Sequence, residues 1–203
     1  MRNIVFGALA SMAMVGGAQA QCLTDADLTR GVTVRFSAGD YTKVRRLSDG
    51  YLRLEEHYDD GAPPMFFRAH RGVYFVQEYE LDGNGQEVPG TRLDIEFQID
   101  PARLPDPLPG LSWEGASVNV FADGGRRNEV TSVRFYETDD MELSGCVYET
   151  VGVDLRYDWG VDGGLSLSYV YLPAVGTAII LSNQFDGDER NSTTPISLER
   201  TTK

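Results

Sequence analysis

The stretch VTVRFSAGDYTKVRRLSDGYLRLEEHY (32–58) decides the fold class. Val32, Val34 and Phe36 alternate with Thr33, Arg35 and Ser37. A period of two gathers the apolar residues on one face of an extended strand and on no face of a helix. Gly39-Asp40 and Ser48-Asp49-Gly50 interrupt the alternation with residues suited to tight reversals. Strands over 41–47 and 51–58 follow, so the segment reads as the start of an antiparallel meander.

The same rhythm continues. MFFRAH (65–70) and VYFVQEYEL (73–81) are separated by Arg71-Gly72, and TRLDIEFQI (91–99) sets Leu93, Ile95, Phe97 and Ile99 against Arg92, Asp94, Glu96 and Gln98. DPARLPDPLPG (100–110) holds four prolines, too many for any ladder, and reads as a connector between two halves of one domain. Strands resume over 112–122, 129–138, 165–172 and 177–183, with Pro173 to Gly176 as the last hairpin turn and a short strand near Ile196. MELSGCVYETVGVDLRYDW (141–159) is too long for one regular strand, and Gly145 and Gly152 mark a turn or bulges within it. One short helix is expected after Cys22, capped by Thr24 or Asp25 and ended by Gly31. About eleven strands with almost no helix specify an all-β domain. The expected form is a single antiparallel meander curled into a half-barrel or open barrel, because twist accumulates in a long sheet; a two-sheet β-sandwich is the alternative.

Residues 1–20 combine Arg2, an uncharged apolar run from Ile4 to Val15 and the small-x-small site Ala18-Gln19-Ala20. That order is a secretory signal peptide cleaved after Ala20, and its apolar run is too short to span a bilayer. Gln21, not a small residue, precedes Cys22, which excludes a lipoprotein signal. The expected mature chain is one all-β domain, 21–203, in the periplasm or outside the cell, with Cys22 and Cys146 joined as a disulfide. The 31 acidic residues outnumber 18 basic ones, for a net charge of −13. Such a surface repels phosphate backbones and anionic head groups, and favours a monomer that neither spans membranes nor binds nucleic acid.

Catalytic signatures are absent: there are two histidines, His57 and His70, and no H-E-x-x-H or G-x-S-x-G. Glu55 and Glu56 are neighbours on a strand and point to opposite faces. Asp59-Asp60 belongs to a turn. DGNGQE (82–87) begins like a calcium loop, but Glu87 and Leu93 stand where the loop needs glycine and an acid, and FDGDER (185–190) fails similarly. No cofactor or metal is expected. The informative group is aromatic: Tyr51, Tyr58, Phe66, Phe67, Tyr74, Phe75 and Tyr79 occupy three successive strands and both their faces. Either a second layer covers the outer face or a concavity receives a ligand, so these seven are the candidate ligand-facing residues.

Two further segments carry a resemblance. Gly110 and Trp113 in GLSWEG, Gly145, Cys146 and Tyr148, and Tyr171, Pro173 and Gly176 in YVYLPAVG match a pattern that resembles exported bacterial proteins of unknown function. Those look like the half-barrels of periplasmic lipoprotein carriers. The resemblance covers the C-terminal half and implies a curved sheet and an exported location; it brings no catalytic residues. Three functions are therefore carried forward: a non-catalytic protein binding an apolar small molecule or a segment of an envelope protein in the concave face, a structural or assembly module acting through sheet edges, and a hydrolase using His57 or His70.

Overall fold

Val32–Phe36 (β1), Tyr41–Arg46 (β2) and Leu52–His57 (β3) form a meander in which Val34 lies opposite Thr42 and Val44 opposite Leu54. The computed structural model describes residues 21–202, so the signal-peptide reading of residues 1–20 lies outside the described residues. Met65–His70 (β4), Tyr74–Glu80 (β5) and Leu93–Phe97 (β6) continue it, followed by Ser112–Phe121 (β7) and Arg126–Glu137 (β8). The long stretch after residue 140 divides into three strands: Met141–Leu143 (β9), Cys146–Tyr148 (β10) and Val151–Asp158 (β11). Gly164–Leu172 (β12), Thr177–Phe185 (β13), Asn191–Ser192 (β14) and Pro195–Arg200 (β15) complete the chain.

Thirteen strands build one antiparallel sheet, ordered β14-β13-β12-β11-β8-β7-β6-β5-β4-β3-β2-β1-β15, while β9 and β10 form a separate hairpin. The fold is all-β, a single curved sheet rather than a sandwich, and not a closed barrel. The count exceeds eleven because the 141–159 stretch yields a detached hairpin plus β11, and the tail yields two strands. The expected helix is a 3₁₀ helix over Asp25–Thr29, with the Thr24 N–H donating to Asp27 Oδ2 at 2.9 Å. Five residues do not recover the cost of nucleating an α-helix. The proline-rich connector separates nothing in the sheet: β6 and β7, on either side of it, pair with Ile95 opposite Asn119.

Register shifts at Arg35/Phe36, Arg68/Ala69 and Ser168/Tyr169 mark bulges, which increase twist and bend the sheet. The bend brings its two margins near each other. Thr193 N–H donates to Leu181 O at 2.8 Å, and Ser37 N–H to Thr194 O at 2.9 Å, so two consecutive residues join the β13 margin to the β1 margin.

The two ends of the curved sheet differ. At the end where β1 starts and β12 turns into β13, the interior is plugged. Cys22 is disulfide-bonded to Cys146 of the β9–β10 hairpin. Leu23 N–H donates to Tyr148 Oη at 2.9 Å, Asp25 N–H to Ala174 O at 2.8 Å, and Arg200 Nε to Asp27 Oδ1 at 2.8 Å. Leu23, Leu28, Leu143 and Tyr148 are buried there with Val32, Val153, Leu172 and Val175. At this same end the Arg71-Gly72 turn presses on β13. Gly72 has φ 69°, and a Cβ there would lie 2.8 Å from Thr177 Oγ1 and 2.9 Å from Ala178 N.

Two stability predictions follow from the plug. Replacing both cysteines with serine lowers the urea-unfolding free energy by about 4 kcal/mol, since the bridge spans 124 residues of chain. Gly72→Ala costs about 2 kcal/mol or more, combining left-handed backbone strain with a backbone collision. Gly50→Ala, also at positive φ but with open space around it, costs only the strain, about 1 kcal/mol.

Candidate functional site: a cavity at the unplugged end

Toward the opposite end, where β3, β8 and β13 have their other termini, the sheet curves around a cavity of about 560 Å³ that opens to solvent. Phe67, Phe75, Leu93, Ile95, Leu165 and Leu167 supply most of its apolar wall, with Phe121, Trp159 and Phe185 at the strand ends. Phe75 and Tyr169 approach across the interior with ring centroids 6.1 Å apart, one from β5 and one from β12. The plug side of the interior is filled by Val34, Val44, Leu54 and Ile179, so the cavity is the unfilled portion of one continuous apolar core.

The seven aromatics divide by strand alternation. Tyr58, Phe67 and Phe75 line the cavity. Tyr51, Phe66 and Tyr79 face outward and lie under arginines. Arg68 sits 4.0 Å above the Tyr51 ring, Arg53 5.0 Å above Phe66, and Arg92 5.2 Å above Tyr79. Phe66 and Tyr79 also stack at 4.2 Å, which leaves Phe66 only 5% exposed without a second layer of backbone. Tyr74 is covered by the connector, its hydroxyl donating to Pro105 O at 2.8 Å. The inward aromatics thus face a concavity, while the outward ones are covered by arginine side chains and, at Tyr74, by the connector.

Polar groups also enter the cavity. Glu129, 4% exposed, receives four hydrogen bonds: Ser117 Oγ at 2.8 Å, Thr131 Oγ1 at 2.9 Å, Asn119 Nδ2 at 2.9 Å and Trp159 Nε1 at 2.7 Å. These donors satisfy the buried carboxylate and fix the Trp159 indole. Asn119, 1% exposed, gives its amide N–H₂ to Glu129, and its Oδ1 has no hydrogen-bond partner among the described residues. Arg127 lies 4.0 Å from the Trp159 ring centroid and 5.4 Å from that of Phe121.

Glu56 and Glu78 face the cavity from β3 and β5, half-buried because the cavity itself reaches them. Burial pushes the Glu78 carboxyl up to about 7, reinforced by the charges of Glu56 and Glu129 and opposed by Arg127. Burial also raises Glu56, against the hydrogen bond that Tyr58 Oη donates to Glu56 Oε2 at 2.9 Å. Tyr157 and Tyr169, buried in the same wall, are raised well above their ordinary value by desolvation.

Glu55 points outward, ion-paired with Arg53, so the two adjacent acids do lie on opposite faces. His57 stacks on Tyr41 at 4.4 Å, and His70 Nε2 accepts from Arg71 Nε at 3.1 Å. Desolvation lowers the pKa of both. Among the described residues neither histidine is hydrogen-bonded to a hydroxyl. In the DGNGQE turn, Asp82 Oδ1 accepts the backbone N–H groups of Asn84 and Gln86, both at 2.8 Å. Among the described residues no three histidines, cysteines or acids are grouped to hold a metal ion. No family model, curated protein or solved structure matches the chain.

Sequence reasoning overlooked the polar half of the site: Glu56, Glu78, Asn119, Arg127 and Glu129, with Trp159. The signal was present as polar residues in the apolar phase of a strand. Glu56 follows Leu52 and Leu54 at a spacing of two, and Arg127, Glu129 and Thr131 precede Val133 and Phe135 in the same way.

Raising Glu78 from 4.5 to about 7 means that the folded chain holds a proton which the unfolded chain has released. Its contribution is fully present below pH 4.5 and is lost as pH rises toward 7. Stability of the wild type relative to Glu78→Gln should therefore fall between pH 4.5 and 7, by about 1–3 kcal/mol. Paired urea titrations across that range measure it, and the difference between the two proteins removes the opposing slope of His57 and His70.

Proposed function

We propose that this chain is a non-catalytic binding protein of an oxidising, exported compartment, and that it holds an apolar small molecule inside the curved sheet. The carrying observation is the cavity. Its roughly 560 Å³ lies within the size range of small-molecule sites and its wall is mainly apolar with a few placed polar groups. Its apolar side chains are exposed to water where the cavity opens, and a resident ligand would cover them. The Cys22–Cys146 bridge supports export, because disulfides persist in oxidising compartments. The resemblance to lipoprotein-carrier half-barrels agrees with the curved sheet.

The alternative of a module acting through sheet edges has less support. β14 covers part of the β13 edge, β15 covers β1, and the hairpin lies against β15 where Leu198 N–H donates to Ser144 Oγ at 3.0 Å. The hydrolase alternative has less support, since among the described residues neither His57 nor His70 is hydrogen-bonded to a nucleophile.

A neutral fluorescent probe, N-phenyl-1-naphthylamine, tests the reading. The wild type should bind it with micromolar affinity and brighten its emission. Leu165→Trp, which places an indole in the cavity, should abolish the signal, while Val147→Trp on the exposed hairpin should not. Equal binding by all three proteins, or none by the wild type, would overturn the proposal.

A further inference from the structure

Glu56, Glu78 and Glu129 bring three carboxyl groups to the lining of one cavity, against the single guanidinium of Arg127. Beside them, Asn119 Oδ1 is a buried acceptor with no donor, on a residue 1% exposed whose amide nitrogen is already committed to Glu129. The unmet demand in this wall is for N–H donors and positive charge. A metal ion does not meet it, since among the described residues no three acids, histidines or cysteines are grouped as ligands. Nor does a second anion, because Arg127 is already stacked on Trp159 and flanked by Phe121.

From this we infer that the apolar molecule carries a protonated amine, whose ammonium N–H groups are received by Glu78, Glu56 and Asn119 while its apolar tail lies along Phe67, Phe75 and Leu165. The inference rests on the cavity-binding reading above and names the ligand class for it. An ammonium group donates up to three hydrogen bonds from one nitrogen, each about 2.7–2.9 Å long to a charged acceptor, and so reaches further than a metal–oxygen bond. It also resolves the cost of the empty site, where desolvation makes the carboxyl of Glu78 retain a proton near neutrality. The groups that face Glu78 are Glu56 and Tyr58 from the β3 side, Arg127 and Glu129 from β8, Tyr157 from β11 and Tyr169 from β12. Of these only Arg127 is cationic, so an arriving ammonium meets a wall whose formal charge is negative. Exchange of the carboxyl proton for the ammonium makes capture stronger above neutrality and release easier in acid.

The experiment is displacement of N-phenyl-1-naphthylamine by dodecylamine, dodecanol and dodecanoate, each below its micelle concentration, with the full chain at pH 8. Dodecylamine should compete at least about tenfold better than the other two, the factor one charge-assisted hydrogen bond supplies. The preference should shrink at pH 5.5, and should be lost in Glu78→Gln and reduced in Glu56→Gln, each competition being referred to that variant's own affinity for the probe. Those variants retain the acidic surface, so a preference that survives in them reflects the surface and overturns the inference. Equal competition by all three compounds, or a preference for dodecanoate, also overturns it and leaves the cavity-binding reading standing. If the wild type does not bind the probe, the cavity-binding reading fails and this inference fails with it.

Discussion

The Cys22–Cys146 bridge joins two segments that lie outside the main sheet and holds them against one end of it. Everything inside the molecule depends on that asymmetry. A curved sheet of thirteen strands has two open ends, and both would expose apolar side chains to water. The 3₁₀ segment and the β9–β10 hairpin close one end with Leu23, Leu28, Leu143 and Tyr148. The hydrogen bonds to Ala174, Arg200 and Leu198 attach that plug to both margins of the sheet. The sheet's margins are tied again where Thr193 and Thr194 pass from β13 to β1. Closure by a plug and a short crossing, rather than by a continuous ladder, sets which end is filled and which keeps a cavity.

The cavity wall is more polar than packing requires. Replacing buried ionic groups by well-packed apolar ones is commonly neutral or stabilising, so Glu56, Glu78 and Glu129 are not explained by stability alone. Glu129 differs from the other two. Its four donors satisfy it, and it in turn orients Asn119 and Trp159. Glu56 has the Tyr58 hydroxyl, while Glu78 stands among like charges with Arg127 as its counterweight. One acid thus organises the wall, and the two others remain available to an occupant under the proposed function.

Apart from Tyr74 under the connector, the outer face handles its aromatics without a covering layer. Arg53, Arg68 and Arg92 lay their guanidinium groups over Phe66, Tyr51 and Tyr79, combining a cation–π contact with a solvated charge. Consecutive aromatics such as Phe66-Phe67 therefore serve two unrelated purposes, one on each side of the same strand. The alternation shows that they must separate; which neighbours cover the outer one depends on strand pairing.

Local pattern alone determined the all-β class, most strand positions, the loop character of residues 100–110 and the opposite orientations of Glu55 and Glu56. These follow from a period of two and from proline's missing N–H, which act within a few residues. The candidate site was legible only in its apolar part, through Phe67, Phe75 and Tyr58. Tertiary structure decided the rest. The division of 141–159 into a detached hairpin and a sheet strand depends on where Cys22 lies. The convergence of Glu56, Glu78, Asn119 and Glu129 depends on four strands, β3, β5, β7 and β8, being brought round one bend. Periodicity assigns each of these side chains to a face, but the curvature and end closure of the whole sheet decide what that face encloses.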